Sequence, residues 1–558
     1  MKRELEIFKN RTFDVLIVGG GIYGAAAARE AASRGLSTAL IERGDFGGRT
    51  SANSLKTIHG GLRYLQTLDL KRFRESVRER KILLRIAPHL VHPLPVVMPT
   101  YGHLGKGPEI MRAGLLINDL LSIDRNAGME KSRHIPPGRI LSKGCCMHLV
   151  PGIDERNVTG AAFWTDAQMV NSERMCLAFI RSAVRDGAVV ANYVSAVGFL
   201  LRQGRIRGVA ARDELTGGEF EIHAKVVLNA CGGWADDLFR KSRIKLSRPI
   251  LRLSTAMNLI IKRELLPETA AGVQSRFKYT RRDGSVFRGS RVLFLSPWRH
   301  YTLAGTFHRP FEGDPDGLEI TEHEIRIALD EVNGACPGAA ILRQEVTFAH
   351  KGFLPMDGVD PKTGEVRLTK HYHIRDHGHE DGAEGLMSVA GVKYTTARDV
   401  AERTVGRILK KLGRRAASST RTKPLAGGDI HAFPTYLNHF VKSDPYALSD
   451  DVRRHLVCQY GTDHVSVLRL IEEDADRRNR IPGSHEVTEA EVVYAVREEM
   501  AQKLSDVLLR RTDLGSGEYP GDAAVERCAG IMAGELGWHP DRIRSEVEEV
   551  QSIYRLFR

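Results

Sequence analysis

The stretch from Phe13 to Glu42 constrains this chain more than any other. Phe13–Val18 is a short apolar run that ends directly in glycine, the pattern of a buried parallel strand. Gly19-Gly20-Gly21-Ile22-Tyr23-Gly24 follows, with Gly19, Gly21 and Gly24 in G-x-G-x-x-G spacing. Gly19 permits a tight turn, Gly21 lets a diphosphate approach the backbone, and Gly24 lets the next helix pack close to the strand. The alanine-rich run Ile22–Ser33 predicts that helix, Gly35 ends it, and Leu36–Ile41 predicts a second strand. Glu42 closes this strand 23 residues after Gly19, where a carboxylate accepts hydrogen bonds from a ribose. The helix N-terminus at Ile22 offers free N–H groups and partial positive charge to phosphates. Because all these parts occur in order, a dinucleotide on a Rossmann-like α/β unit is expected. The fingerprint alone does not separate NAD from FAD.

At 558 residues the chain exceeds one typical domain, and its 42% hydrophobic and 27% charged residues suit a large globular core. No apolar run approaches a membrane span, and the charged start MKRELEIFKN lacks a signal-peptide core. The expected compartment is the cytoplasm or the cytoplasmic face of its membrane. The net charge of +13 favours anionic substrates or anionic lipid surfaces. Its scatter along the chain, without a recognisable module, argues against nucleic acid. The seven cysteines form no C-x-x-C pair, and their odd number argues against a disulfide framework. His371, His373, His377 and His379 have no acidic or cysteine partner at ligand spacing. They read as a polar loop, and no metal is expected.

Further along, Leu70–Arg85 and Met111–Leu121 have helical period, the second with an apolar face for a core or a membrane. Asn171–Asp186 predicts a helix and Ala188–Ala196 a strand. Ile206–Ala211 and Glu219–Ile222 predict a hairpin around Thr216-Gly217-Gly218. Ala224–Leu228 reads as an apolar strand running into Gly232-Gly233, which fits a second backbone approach to the dinucleotide. Residues 245–385 are strand-rich, with Val292–Pro297 and Tyr301–Thr306 as a hairpin. Leu386–Val389, Gly391 and a helix over Thr396–Leu412 repeat the strand–glycine–helix order. From about 420 the chain is helical and charge-laced, with apolar spacing in Val487–Leu509 and Ala523–Leu536.

Lys56-Thr57-Ile58-His59-Gly60-Gly61-Leu62-Arg63-Tyr64-Leu65 resembles the K-x-I-H-G-G-L-R-Y-L signature of the FAD-dependent glycerol-3-phosphate dehydrogenase family, among the D-amino-acid-oxidase-like flavoproteins. Thr50-Ser51, Asn229–Trp234 (against N-A-T-G-P-W), Gly391–Arg398 (against G-G-K-L-T-T-Y-R) and Leu508–Thr512 (against L-x-R-R-T) extend the resemblance along nearly the whole chain. It implies an α/β fold with a glutathione-reductase-like FAD-binding domain, an antiparallel-sheet substrate domain and a helical C-terminal domain. The implied boundaries are 1–420 for the oxidoreductase region and 421–558 for the helical domain. Within the first, about 12–90, 155–245 and 386–415 bind FAD, and about 91–154 and 246–385 bind substrate. The implied reaction is oxidation of sn-glycerol 3-phosphate to dihydroxyacetone phosphate, with electrons passed to quinone. Peripheral membrane contact and a homodimer are further expectations.

The resemblance also distributes roles. Hydride transfer to a flavin needs a proton acceptor and positive charge near the reduced ring. His59 is the candidate acceptor, Arg63 the anchor for an anionic substrate end, and Lys393 the cation for flavin or substrate. Gly19, Gly21, Ile22, Gly24, Glu42, Arg43, Thr50, Ser51, Ser54, Lys56, Gly60, Gly61, Gly232, Gly391, Lys393 and Thr395 are the expected cofactor contacts. Tyr64, Lys351 and Lys370 join Arg63 around the substrate. Departures are concentrated there. Leu354 stands where the family has a phosphate-binding arginine, Lys370 replaces a second arginine, and a family histidine is lost near Ser254–Ala256. Leucine forfeits the charge-assisted hydrogen bonds, and lysine does not reproduce the planar fork. A related dehydrogenase or oxidase acting on another hydroxy or amino compound is therefore the alternative. Arg49 is an extra cation where the family has a small residue.

Overall fold

The computed structural model describes the chain except residues 104, 106, 243, 281–283, 285, 444 and 445. Its first layer is a mixed sheet in the order His373–Asp376, Leu386–Ala390, Glu219–Asn229, Thr12–Val18, Thr38–Ile41 and Val189–Ala191. The central strands run parallel, so their C-terminal ends share one edge. Val18 pairs with both Ile41 and Asn229, and Asn229 with Ser388. Helices Ile22–Ser33, Ser172–Arg185 and Ala397–Lys411 bury one face of this sheet through a common apolar core. Small alanines at 25, 26, 27 and 28 are all buried, which lets the first helix sit close on three sides.

Two expected boundaries differ. The strand read over Ala188–Ala196 breaks at Tyr193, which takes φ +55. Val189–Ala191 stays in the first sheet, while Val194–Arg202 turns away to pair with Arg205–Asp213. The runs read separately as Glu219–Ile222 and Ala224–Leu228 are one strand, antiparallel to the hairpin at its start and parallel to Thr12–Val18 along the rest. A period-two pattern cannot show a change of partner along one strand.

The second sheet has the order Val366–Leu368, Val346–Val359, Leu253–Ile261, Tyr301–Phe311, Val286–Trp298, Ala270–Thr280, Val91–Tyr101, Val158–Met169 and Thr57–Ile58. One face packs on helix Glu322–Ala335 through Met257, Leu259, Ile261, Ala304 and Ala349. The other carries Ile260, Leu303 and Trp298 against Leu55, in the loop that follows the dinucleotide motif. The register places Gly352, Ala256 and His308 in one row, and His350, Asn258, Gly305 and Phe294 in the next row but one.

From Phe433 onward the described chain is helical, closing with Asp522–Leu536 and Pro540–Ile553 around Val492, Val507, Val525 and Tyr554. The apolar spacing over Val487–Leu509 spans more than one helical segment. Glu489–Glu499 stops at Met500 (φ +58), and Leu504–Asp506 leads into a π-helical turn over Val507–Arg511. The histidine group is not a loop. His373 begins an edge strand, and His377 starts a short helix with its ring buried between Asp381 (2.6 Å) and the Ser388 hydroxyl (2.7 Å).

Candidate active site

Parallel pairing makes the first half of the site. The chain turns at Gly19 after Val18, at Ala230–Gly232 after Asn229, and at Gly391 after Ala390, all beside one another. A Cβ on Gly24 would overlap the Gly19 carbonyl oxygen, and one on Gly391 would overlap the Tyr23 ring. Only glycine allows these approaches. The Tyr23 hydroxyl donates to the Lys393 carbonyl at 2.6 Å and accepts from the Lys393 N–H at 3.1 Å, tying the third turn to the first helix.

These turns enclose a long cavity. Gly19, Gly21, Ile22, Glu42, Arg43, Thr50, Ser51, Ser54, Gly232, Gly391 and Lys393 all line it, as do Trp234 and Leu354. Glu42 accepts from the N–H groups of Gly20 (2.6 Å) and Gly44 (2.9 Å), and burial raises its carboxyl pKa despite these bonds. Each carboxylate oxygen keeps a lone pair for a ribose hydroxyl. Ser51 Oγ accepts from Ile22 N–H at 2.9 Å, and Thr50 Oγ1 from Phe353 N–H at 3.0 Å. The loop is thereby stitched to the helix start on one side and to the second sheet on the other. A glycine cradle at a helix N-terminus, a carboxylate at the end of the second strand and a cation at the third turn fit a flavin dinucleotide. Gly24 packs behind this wall rather than lining it.

Four expected cofactor contacts lie elsewhere. Lys56 is buried with its ammonium 2.7 Å from Glu173 and 3.2 Å from Ser172 Oγ, above the Trp298 ring. An ammonium enclosed this way is a structural ion pair, not a cavity group. Gly60 donates its N–H to Asp166 at 2.6 Å, and Gly61 takes φ +93 against Phe73. Thr395 is buried behind the turn that presents Lys393.

The second half of the site converges from four segments. The Lys393 ammonium sits 3.8 Å from the centroid of the Tyr64 ring, and the Arg72 guanidinium 4.2 Å from the same ring. Burial, together with the nearby cations Arg72 and Arg63, pulls the Lys393 pKa down to about 7. Arg63 is exposed at the edge of this group. His59 Nδ1 lies 3.5 Å from Asp166, and its ring meets Phe294 edge-on at 5.9 Å. Asp166 also accepts from Arg80 at 2.7 Å. Burial would raise this carboxyl, but His59, Arg80 and the Gly60 N–H outweigh it and hold it at about 2. A carboxylate fixed on one imidazole nitrogen leaves the other free for a substrate proton.

Of the remaining substrate candidates, Lys370 is exposed, next to His371, whose ring is 4.0 Å from Asp69. Lys351 is on the wrong face. It points toward helix Glu322–Ala335 and contacts both carboxylate oxygens of Glu324 at 2.8 Å, which corrects its expected place around the substrate. Sequence reading missed Arg72, Arg80 and Asp166. Arg72 and Arg80 lie in a charge-rich helix where nothing marks two arginines among many, and Asp166 is separated from His59 by 107 residues.

The chain belongs to the FAD dependent oxidoreductase (DAO) family, whose pattern matches residues 14–398, and FAD is its cofactor. Within that class it is a member of the FAD-dependent glycerol-3-phosphate dehydrogenases. It is 30% identical to the glycerol-3-phosphate dehydrogenase of Synechocystis over 98% of this chain and 97% of that protein. It is 31% identical to the human mitochondrial glycerol-3-phosphate dehydrogenase over 97% of this chain and 73% of that protein. Residues 418–543 match the C-terminal domain of alpha-glycerophosphate oxidase. The fold is similar to the crystal structure of a Bacillus halodurans glycerol-3-phosphate dehydrogenase complexed with FAD, with TM-score 0.76, 24% identity, and coverage of 99% and 96% of the two chains.

Proposed function

We propose that the protein oxidises sn-glycerol 3-phosphate to dihydroxyacetone phosphate. The observation that carries this reading is an anion-attracting cluster (Lys393, Arg63, Arg72) whose Lys393 lines the dinucleotide cavity, with the imidazole–carboxylate pair His59–Asp166 on the same segment as Arg63. Full-length likeness to proteins of that name supports the substrate. FAD, when bound, supplies the acceptor for a hydride from carbon. Arg63 and Arg72 attract the phosphate end, and Tyr64 holds Lys393 against the site. His59 Nε2 takes the hydroxyl proton, and Asp166 stabilises the imidazolium that forms. Lys393, as an ammonium, balances negative charge developing on the substrate or the cofactor. The domain division near residue 420 is kept in this reading.

Electrons then pass to a quinone, and the protein meets the membrane through one face. Helix Pro108–Leu121 exposes Ile110, Leu116, Ile117 and Leu120, and Ile123 and Leu68 continue the patch. Lys71, Arg74 and Arg112 are exposed nearby. An apolar stripe edged by cations suits an anionic lipid surface. Among the described residues no helix is long and apolar enough to cross a membrane. Assembly as a homodimer is part of the same reading.

One observation favours the alternative of another hydroxy or amino compound: Leu354 lines the cavity wall where the family carries an arginine. Anaerobic bleaching of the flavin decides between them. Reduction by glycerol 3-phosphate, and not by glycerol or 2-hydroxy acids, supports the proposal. Reduction only by a non-phosphorylated compound sinks it.

A further inference from the structure

The loop after Glu42 folds back over the glycine turn. Gly47 donates its N–H to the Gly20 carbonyl at 3.0 Å, and Ser51 closes on Ile22. Asp45, in this loop, lines the cofactor cavity yet is buried. Its carboxylate is gripped from the far end of the chain. Arg511 reaches it through two parallel bonds of 2.7 Å, and Arg510 Nε adds a third at 2.5 Å. The Arg510 stem also packs beside Gly48. Burial alone would raise the Asp45 carboxyl, but the two guanidiniums outweigh it and keep it ionised.

A second path runs in parallel. Arg510 holds Asp506 at 2.6 Å, and Asp506 accepts from the Tyr193 hydroxyl at 2.6 Å. Tyr193 donates its N–H to the Gly44 carbonyl at 2.9 Å. The Asn192 amide bridges Asp45 (3.1 Å) and the Met500 carbonyl (2.9 Å). The π-helical turn Val507–Arg511 is what aims two consecutive arginines at one carboxylate. Both paths end on the loop that wraps the dinucleotide motif.

We infer that the C-terminal helical region is a working part of the cofactor site, with Arg510 and Arg511 as positioning residues that hold the Gly44–Ser51 loop, through Asp45, in the shape that receives FAD. The coupling is reciprocal: a loop ordered by FAD strengthens the docking of the tail, and a docked tail tightens FAD.

Hydrogen exchange on the whole protein, stripped of flavin and then reloaded, tests the coupling. FAD should slow exchange at residues 500–512 as well as 44–52, by at least ~10-fold. Protection confined to 44–52 overturns the inference. A variant pair tests the named residues. Arg511→Lys keeps the charge and loses the fork. It should raise the FAD dissociation constant, read from flavin fluorescence, by about 10-fold (about 1.4 kcal/mol). Leu468→Ala opens the other core of the tail, which shares no residue with the π-helical turn. It should lower Tm while leaving the FAD constant within about 2-fold. An unchanged constant in Arg511→Lys, or equal weakening in Leu468→Ala at matched Tm loss, overturns the inference.

Discussion

The cofactor cavity and the substrate side are built on opposite plans. The cavity is mostly backbone: three strand ends brought level by parallel pairing, with glycines where side chains would collide. The substrate side is mostly side chains: Lys393, Tyr64, Arg63, Arg72, His59 and Asp166 arrive from four segments and depend on one another for position and charge. A backbone cradle tolerates change in its surroundings but no bulk at its closest contacts. A side-chain cluster tolerates bulk better but not loss of a partner. Departures from the family pattern spare Gly19, Gly21, Gly24 and Gly391 but reach both regions: Cys231, Gly233 and Val392 on the cavity turns and Leu354 on the cavity wall, and Lys370 and the segment near Ser254 beyond it.

The sharpest way to break the comparison is at Gly24. Gly24→Val drives a side chain into the Gly19 carbonyl, and FAD binding should fall by at least ~10³-fold, read by flavin content after purification. A variant that stays yellow would mean that the cradle yields as readily as the cluster.

Lys393→Met probes the other plan. FAD should stay bound while its anaerobic reduction by substrate slows by at least ~10²-fold. An unchanged single-turnover rate removes Lys393 from the chemistry. The pH dependence follows from the same residue. With its pKa lowered to about 7 in the fold, Lys393 is an ammonium below that value and loses its charge above it. Affinity for an anionic substrate should therefore fall as pH rises through about 7, and Lys393→Met should flatten that slope. For stability the sign is reversed. The unfolded chain holds the proton up to the ordinary lysine range, so the unliganded protein gains stability from this group as pH rises above about 7.

Asp166→Asn should keep FAD in place and slow reduction by about 10–10²-fold, because His59 loses the charge that orients it and stabilises its protonated form. Retention of the full rate would show that His59 works alone or not at all. The smallest effect belongs to Lys351→Met. On the far face of the sheet it should leave the substrate KM unchanged and cost about 1–3 kcal/mol of stability by thermal melting, since it unpairs the largely buried Glu324 and frees the Glu319 carbonyl. A raised KM would put the substrate on a face that the register assigns to helix Glu322–Ala335.

The first βαβ unit was legible because its signals are local. Glycine spacing, an alanine run and a terminal acid follow one another within thirty residues, and the helix forms over Ile22–Ser33 as expected. Lys56 and Lys351 were misplaced for one reason: a lysine in a motif or on a strand looks the same whether it faces a ligand or a buried glutamate. Asp166 and Arg72 gave no signal at all, because their meaning comes from the strand and helix that carry them to His59 and Lys393.

By itself the sequence determined the dinucleotide cradle, the strand-rich middle and the helical tail, since backbone conformation and hydrophobic period are encoded over short distances. Only the tertiary structure decided which cations face the cavity, which carboxylate orients His59, and that Arg510 and Arg511 reach back to Asp45. Those outcomes depend on sheet register and on burial. A one-residue change of register turns a side chain to the opposite face, and a charge taken out of water must find a partner wherever the fold supplies one.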